Sequence, residues 1–156
     1  MFDPKVRTNF VEDEDRYGAW IIKIMSLADI VEVSDEDLDW IIKGPGSSEQ
    51  KAKSILDKGA SLVILAQGSF GATAYLKAGI TMHVPAEKAD FIDTVGAGDT
   101  FNAGVLSKLS ELGLLQKASL PRISANAVEQ ALQFGASVAG VTLSRAGANP
   151  PWPDEL

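Results

Sequence analysis

The spacing of apolar positions along the chain switches repeatedly between a helical and an extended period. Tyr17, Ile21, Ile24 and Ala28 recur at helical spacing and predict an amphipathic helix over residues 14–28. The acidic run EDED at 12–15 falls where that helix begins, a place its dipole favours for carboxylates. DIVEV at 29–33 is short, apolar and β-branched, and reads as a buried strand. SDEDLDWII follows, with Ser34 and Asp37 spaced as in a capping box that has Asp for the usual Glu. KGPGSSEQ supplies a turn and a new N-cap, opening a helix over 48–58 that ends at Gly59. SLVILAQG at 61–68 is a second apolar strand, ending at Gly68. Residues 71–86 alternate and turn at Lys77-Ala78-Gly79, the pattern of a hairpin. A helix over 98–112 closes at Gly113. A long helix lies within 123–145, rich in Ala and Gly near its end, and an irregular, proline-locked tail follows.

Apolar strands alternating with helices predict an α/β fold whose mostly parallel sheet is covered on both faces. No repeat, low-complexity run or linker divides the chain, so one domain portion over 1–156 is expected. In such sheets ligands bind beyond the carboxyl ends of the strands. Gly68 and the turn from Asp93 to Asp99 each lie just past a predicted strand end.

Composition narrows the chemistry. The net charge of −7 provides no basic patch to neutralise phosphates, against a nucleic-acid or anionic-membrane surface. Without cysteine there is no disulfide, thiol nucleophile or zinc–thiolate site. No apolar run approaches the roughly 18 residues of a membrane span, and MFDPKVRTNF has no signal-peptide core. These features favour the cytoplasm. Lone His83 on a hairpin strand reads as a surface residue, while Trp20, Trp40 and Trp152 are expected to pack.

The stretch FIDTVGAGDTFNAGV at 91–105 carries the chemistry. Gly96, Ala97 and Gly98 feed a helix, so their backbone N–H groups face an anion rather than an intrahelical carbonyl. Asp99 then lies in the first helical turn, where the same field keeps a carboxylate ionised. An anion hole beside a carboxylate suits phosphoryl transfer: the amides hold the phosphoryl charge and Asp99 takes the proton of an attacking hydroxyl. Ordinary helix capping is the alternative for an isolated Gly-x-Gly-Asp.

DTVGAGDTFNAG at 93–104 closely resembles the C-terminal signature of the ribokinase-like, or PfkB, carbohydrate kinases. FDPKVR at 2–7, ADIVEVSDEDLDWI, LVILAQGSFGATAY and SRAGANPP resemble that family's further motifs, in order along nearly the whole chain. The wording of VSDEDLDWI is most similar to the fructokinase branch. The resemblance implies a three-layer α/β/α ribokinase-like fold with a β-hairpin, and an ATP-dependent sugar kinase using Mg2+. A nucleoside or other alcohol acceptor, or a nucleotide-binding fragment without kinase activity, are the alternatives.

By the same resemblance Asp99 is the base, and the amides of Gly96, Ala97 and Gly98 form the anion hole. Gly68 and Gly71 lie beside the nucleotide phosphates. Gly135 and Ala136 make room for adenine, or serve helix packing. Ser34 and Asp37 stand where the family's Asn-x-x-Glu is linked to Mg2+ through water, or simply cap a helix. Asp93 and the carbonyls of Val95, Arg145 and Gly147 match a monovalent-cation (K+) site, unless Asp93 caps its own turn. Ala66 replaces a hydroxyl residue, Lys5 an Asn, and Pro151 a Ser. Family members are about twice as long, so the chain is expected to be a C-terminal portion, with most acceptor contacts and the lid elsewhere. Phe2-Asp3-Pro4 reads as the end of a strand. An exposed apolar sheet edge and face are expected, and with them self-association.

Overall fold

The computed structural model describes residues 1–88 and 91–156. The elements in chain order are α1 (Glu14–Met25), β1 (Ile30–Ser34), α2 (Asp35–Ile41), α3 (Ser48–Lys58), β2 (Leu62–Ala66), β3 (Ala72–Leu76), β4 (Thr81–Val84), α4 (Ala97–Glu111) and α5 (Ala125–Leu143). The strands form one sheet in the order β1-β2-β3-β4. The fold is the α/β class the periodicity predicts, and each predicted boundary lies within a few residues of the observed one. The chain divides into two compact units, residues 1–67 with 73–81 and residues 68–72 with 82–156. The division passes through the hairpin region rather than along a linker.

In the first unit, β1 and β2 pair in parallel from Ile30↔Leu62 to Ser34↔Ala66. Phe2 lies alongside β1, donating its N–H to the Ile30 carbonyl and accepting from Glu32. Val31, Val33, Val63 and Leu65 share one core with Ile21 and Met25 of α1, Leu38 and Ile41 of α2, and Ile55 of α3. Full burial of such a side chain is worth about 1.5–3 kcal/mol, so this cluster outweighs any single polar contact in the unit. Lys51 on α3 is buried along its stem and reaches Asp39 on α2 at 2.7 Å.

The first four residues of both β1 and β2 are buried, so their apolar side chains form no exposed face. Exposed large apolar side chains lie elsewhere, at Phe10, Phe70, Phe91, Ile92 and Val95 outside the α-helices and strands, and at Trp20 on α1. Trp40 packs with Tyr17, but Trp20 is 57% exposed and Trp152 72% exposed, contrary to the packing expected of them. His83 is on the surface, as expected.

The second unit is built on the packing of α4 against α5. A Cβ on Gly104 would lie 2.8 Å from the Gly135 Cα, and one on Gly135 would lie 2.9 Å from the Phe101 carbonyl oxygen. The two backbones therefore touch where neither carries a side chain. Val105, Leu109, Val128, Leu132 and Val138 are buried.

Gly135→Ala must displace backbone rather than a flexible side chain, and overpacking of this kind costs typically about 1–3 kcal/mol. Gly18 in α1 meets nothing within 4 Å of an added Cβ, so Gly18→Ala should instead gain about 0.5–1 kcal/mol from helix propensity alone. Urea denaturation of the two variants should move the midpoint in opposite directions.

Candidate active site

The α-helix N-termini separate into two kinds. Asp13, Ser34, Ser47 and Ser124 cap α1, α2, α3 and α5, each accepting from an N–H of the first turn. At α4 the N-cap is Gly96, in the left-handed region at φ 82°, with no side-chain cap. The positive end of the dipole is therefore left without a side-chain cap, although the Ala97 N–H, expected in the anion hole, donates to the Thr94 carbonyl at 3.3 Å. Gly98 meets nothing within 4 Å of an added Cβ, so space lies open in front of it. Asp99 is exposed in the first turn, while neighbouring Thr100 is buried and donates its hydroxyl to the Ala97 carbonyl at 3.1 Å. A carboxylate and an uncapped, glycine-built helix N-terminus thus share one helical turn.

Asp93 fixes the turn that leads into α4. Its Oδ1 accepts the N–H of Val95 at 3.0 Å and its Oδ2 accepts the N–H of Gly147 at 2.9 Å. The first bond is the local Asx turn foreseen as the alternative. The second joins the turn to the segment after α5, and Ile92 N–H donates to the Leu143 carbonyl at 2.9 Å beside it. Gly96 approaches this segment so closely that an added Cβ would lie 2.9 Å from the Ala148 Cβ. Asp93, Val95, Gly96, Arg145 and Gly147 are thus drawn into one neighbourhood. The Gly147 carbonyl accepts from Asn149 at 2.8 Å, and the Arg145 guanidinium folds back to Glu155 and the Pro150 carbonyl.

Gly68 opens a short helical turn ending at Phe70, with φ of 56° at Gly68 and 101° at Gly71. A Cβ on Gly71 would collide with the Val84 carbonyl oxygen, so only glycine fits there. The two small residues on α5 separate. Gly135 is taken up in the contact with α4, whereas Ala136 borders a cavity of about 570 Å3. Val84, Pro85, Ala86, Glu87, Phe134 and Ser137 also line it. Glu87 lies over Gly140, whose missing side chain makes room for it.

Ser34 and Asp37 belong to the first unit. Ser34 Oγ accepts the Asp37 N–H at 3.0 Å, so the capping role is realised. Burial raises the Asp37 carboxyl above its ordinary range, with repulsion from Asp3 adding to it. Hydrogen bonds from the Val6 backbone and the Ser34 hydroxyl, and the charge of Arg7, oppose the rise. Among the described residues no three carboxylates or histidines cluster as metal ligands.

Sequence reading missed Glu155, Ala148 and Glu87. Each acts on a residue far along the chain or in an irregular segment, where no periodicity marks it.

The N–H bonds from Val95 and Gly147 hold the Asp93 carboxyl below its ordinary value of 3.8. A depressed carboxylate stabilises the fold at pH above the unfolded value and loses that contribution as pH falls through the folded one. The Val95 and Gly147 amide resonances should therefore titrate together with a midpoint below 3.8. A midpoint at the ordinary aspartate value would show that neither bond persists in solution.

Comparison with known proteins follows the same lines. The model of the pfkB family carbohydrate kinases matches residues 3–155. A fructokinase of Rhizobium leguminosarum bv. trifolii is 41% identical over 133 residues, covering 85% of this chain and 39% of the relative. An aminoimidazole riboside kinase of Salmonella typhimurium is 31% identical over 156 residues, covering all of this chain and 46% of the relative. A Vibrio cholerae O395 fructokinase double mutant, solved with fructose, ADP and potassium ion, superposes with a TM-score of 0.78 at 25% identity. That match covers 94% of this chain and 44% of the neighbour. The chain thus spans less than half the length of these relatives. Along its own length nearly every residue falls within the family match, and the chain belongs to the pfkB family of carbohydrate kinases.

Proposed function

We propose that the chain is the nucleotide-binding and base-carrying portion of an ATP-dependent kinase that phosphorylates a hydroxyl of fructose or a similar sugar. The observation that carries this is the start of α4, where an uncapped, glycine-built N-terminus has a carboxylate in its first turn. The amides of Gly96 and Gly98, joined by that of Ala97 once it leaves its 3.3 Å bond to the Thr94 carbonyl, hold the charge of the phosphoryl group under attack, and Asp99 takes the proton of the attacking hydroxyl. Positioning plus electrostatics is most of what such a transfer needs.

The remaining residues fit a nucleotide. Gly68, with open space where a side chain would lie, lets phosphates approach the backbone; Gly71, assigned beside them, gives its space to the Val84 carbonyl. Ala136 borders the cavity of about 570 Å3, within the roughly 300–1,000 Å3 usual for a ligand pocket, and is the residue assigned to adenine. Gly135 contributes by letting α4 come close. Mg2+ bound with ATP supplies charge neutralisation along the phosphates. The resemblance assigns Asp37 and Ser34 to Mg2+ through water; the Ser34 hydroxyl oxygen also caps α2. Asp93 and the carbonyls of Val95, Arg145 and Gly147 are the residues assigned to K+. The two N–H bonds on Asp93 leave it further lone pairs for this, and the Vibrio cholerae neighbour solved with potassium ion supports the assignment. A riboside acceptor is the second reading, favoured by the identity to the aminoimidazole riboside kinase over the whole chain. No described helix is long and apolar enough to cross a membrane, and a cytoplasmic location goes with this reading.

Calorimetric titration with ATP and Mg2+ tests the proposal. The parent chain and Asp99→Ala should bind. Gly98→Asp should not, although its side chain meets no protein atom, because it puts a negative charge in the anion hole. Where transfer to fructose is measurable, Asp99→Ala should lower it by about 10²–10⁴. Equal binding by Gly98→Asp would refute the anion hole. Nucleotide binding with no transfer by the parent would make the chain a binding portion without its own kinase activity.

A further inference from the structure

Arg145, just beyond the C-cap of α5, holds the chain's last residues against itself. Its Nη1 donates to the Pro150 carbonyl at 3.3 Å and to Glu155 Oε2 at 3.2 Å, while Nη2 donates to Glu155 Oε1. Glu155 Oε2 also accepts the Trp152 N–H at 2.7 Å. The fork of Arg145 and the carboxylate of Glu155 are thus engaged on both sides, a geometry a lysine could not copy. Arg145 and the Trp152 N–H hold the Glu155 carboxyl below its ordinary range.

The residues enclosed by this clasp are the ones that meet the turn before α4. Gly147, at φ 70°, donates its N–H to Asp93. Ala148 fills the space next to Gly96, the N-cap of α4. A chain of contacts therefore runs from Glu155 to Arg145, through residues 146–148, to Asp93 and Gly96. The ion pair is partly exposed, with Arg145 and Glu155 side chains 24% and 36% accessible, so it adds little to the stability of the whole fold. What it can do is hold one loop in one place.

We infer that Glu155 is a positioning residue for the anion hole, acting through Arg145 on the loop that seats Asp93 and Gly96. This rests on the reading that the Gly96–Asp99 turn receives the phosphoryl group. Glu155 touches neither nucleotide nor acceptor in this role. The tail from Trp152 onward is a strap whose fastening sets how accurately the hole is formed.

Amide hydrogen exchange on the intact chain tests the strap without relying on catalysis, and titration with ATP and Mg2+ tests its effect on binding. Glu155→Ala should speed exchange at Val95 and Gly147 by tenfold or more, leave Val105 and Leu132 in the helix cores unchanged, and weaken ATP binding several-fold. Glu155→Asp keeps the charge and should restore most of both, while Arg145→Lys should fall between. Unchanged exchange at Val95 and Gly147 in Glu155→Ala would overturn the inference. So would an equal rise at Val105 and Leu132, which marks general loosening rather than positioning. If the parent chain fails to bind ATP, the nucleotide reading of the turn falls, and the exchange pattern still decides whether the strap holds the turn.

Discussion

Gly104 and Gly135 set the closest approach of two helices, and the second unit is arranged around it. The contacts Gly104–Gly135 and Gly96–Ala148 show that α4 and α5 run antiparallel, because positions falling along one meet positions rising along the other. The start of α4 therefore lies beside the end of α5. Asp93 can then reach across to Gly147, a residue 54 positions away. A bulkier side chain at either glycine would push the helices apart and move the start of α4 away from the loop that supports it.

An anion hole, the role proposed for the turn at Gly96, must be both unfilled and fixed. Leaving it unfilled is the work of Gly96, which gives α4 no capping oxygen where Asp13, Ser34, Ser47 and Ser124 supply one to the other helices. Fixing it requires bonds that do not use the hole's own N–H groups. Asp93 acts from just upstream, through Val95 and Gly147, and takes no N–H from the first turn of α4; the Ala97 N–H donates separately to the Thr94 carbonyl. Asp99 lies within the first helical turn, beyond the glycines at which the proposed hole opens.

Much of the local structure was legible. The helix over 48–58 was read with the observed bounds, because Ser47 and Gly59 carry strong start and stop chemistry. Ser34, legible either as a cap or as a residue linked to Mg2+ through water, does cap α2. Each of these depends on contacts within one turn of helix. Trp40 packs as expected, whereas Trp20 and Trp152 do not, because burial is not a local property. Trp152 follows two prolines in an irregular tail and ends up 72% exposed, and Trp20 covers Tyr17 on one side only. The expected exposed sheet face failed for the same reason, since an apolar run shows that a strand wants cover but not whether it has it.

The sequence alone determined the α/β class, the order of the elements, the glycine turn at 96–98 and the carboxylate that follows it, since these rest on periodicity and short-range chemistry. It could not choose between packing and ligand roles for Gly135 and Ala136. That choice depends on which side of α5 meets α4, and the structure turned Gly135 into the contact and Ala136 toward the cavity. Nor could it give the second partner of Asp93, or the clasp between Arg145 and Glu155. Residues distant in sequence, or separated by an irregular segment, are brought together only when the helices pack, and that packing is a property of the whole unit.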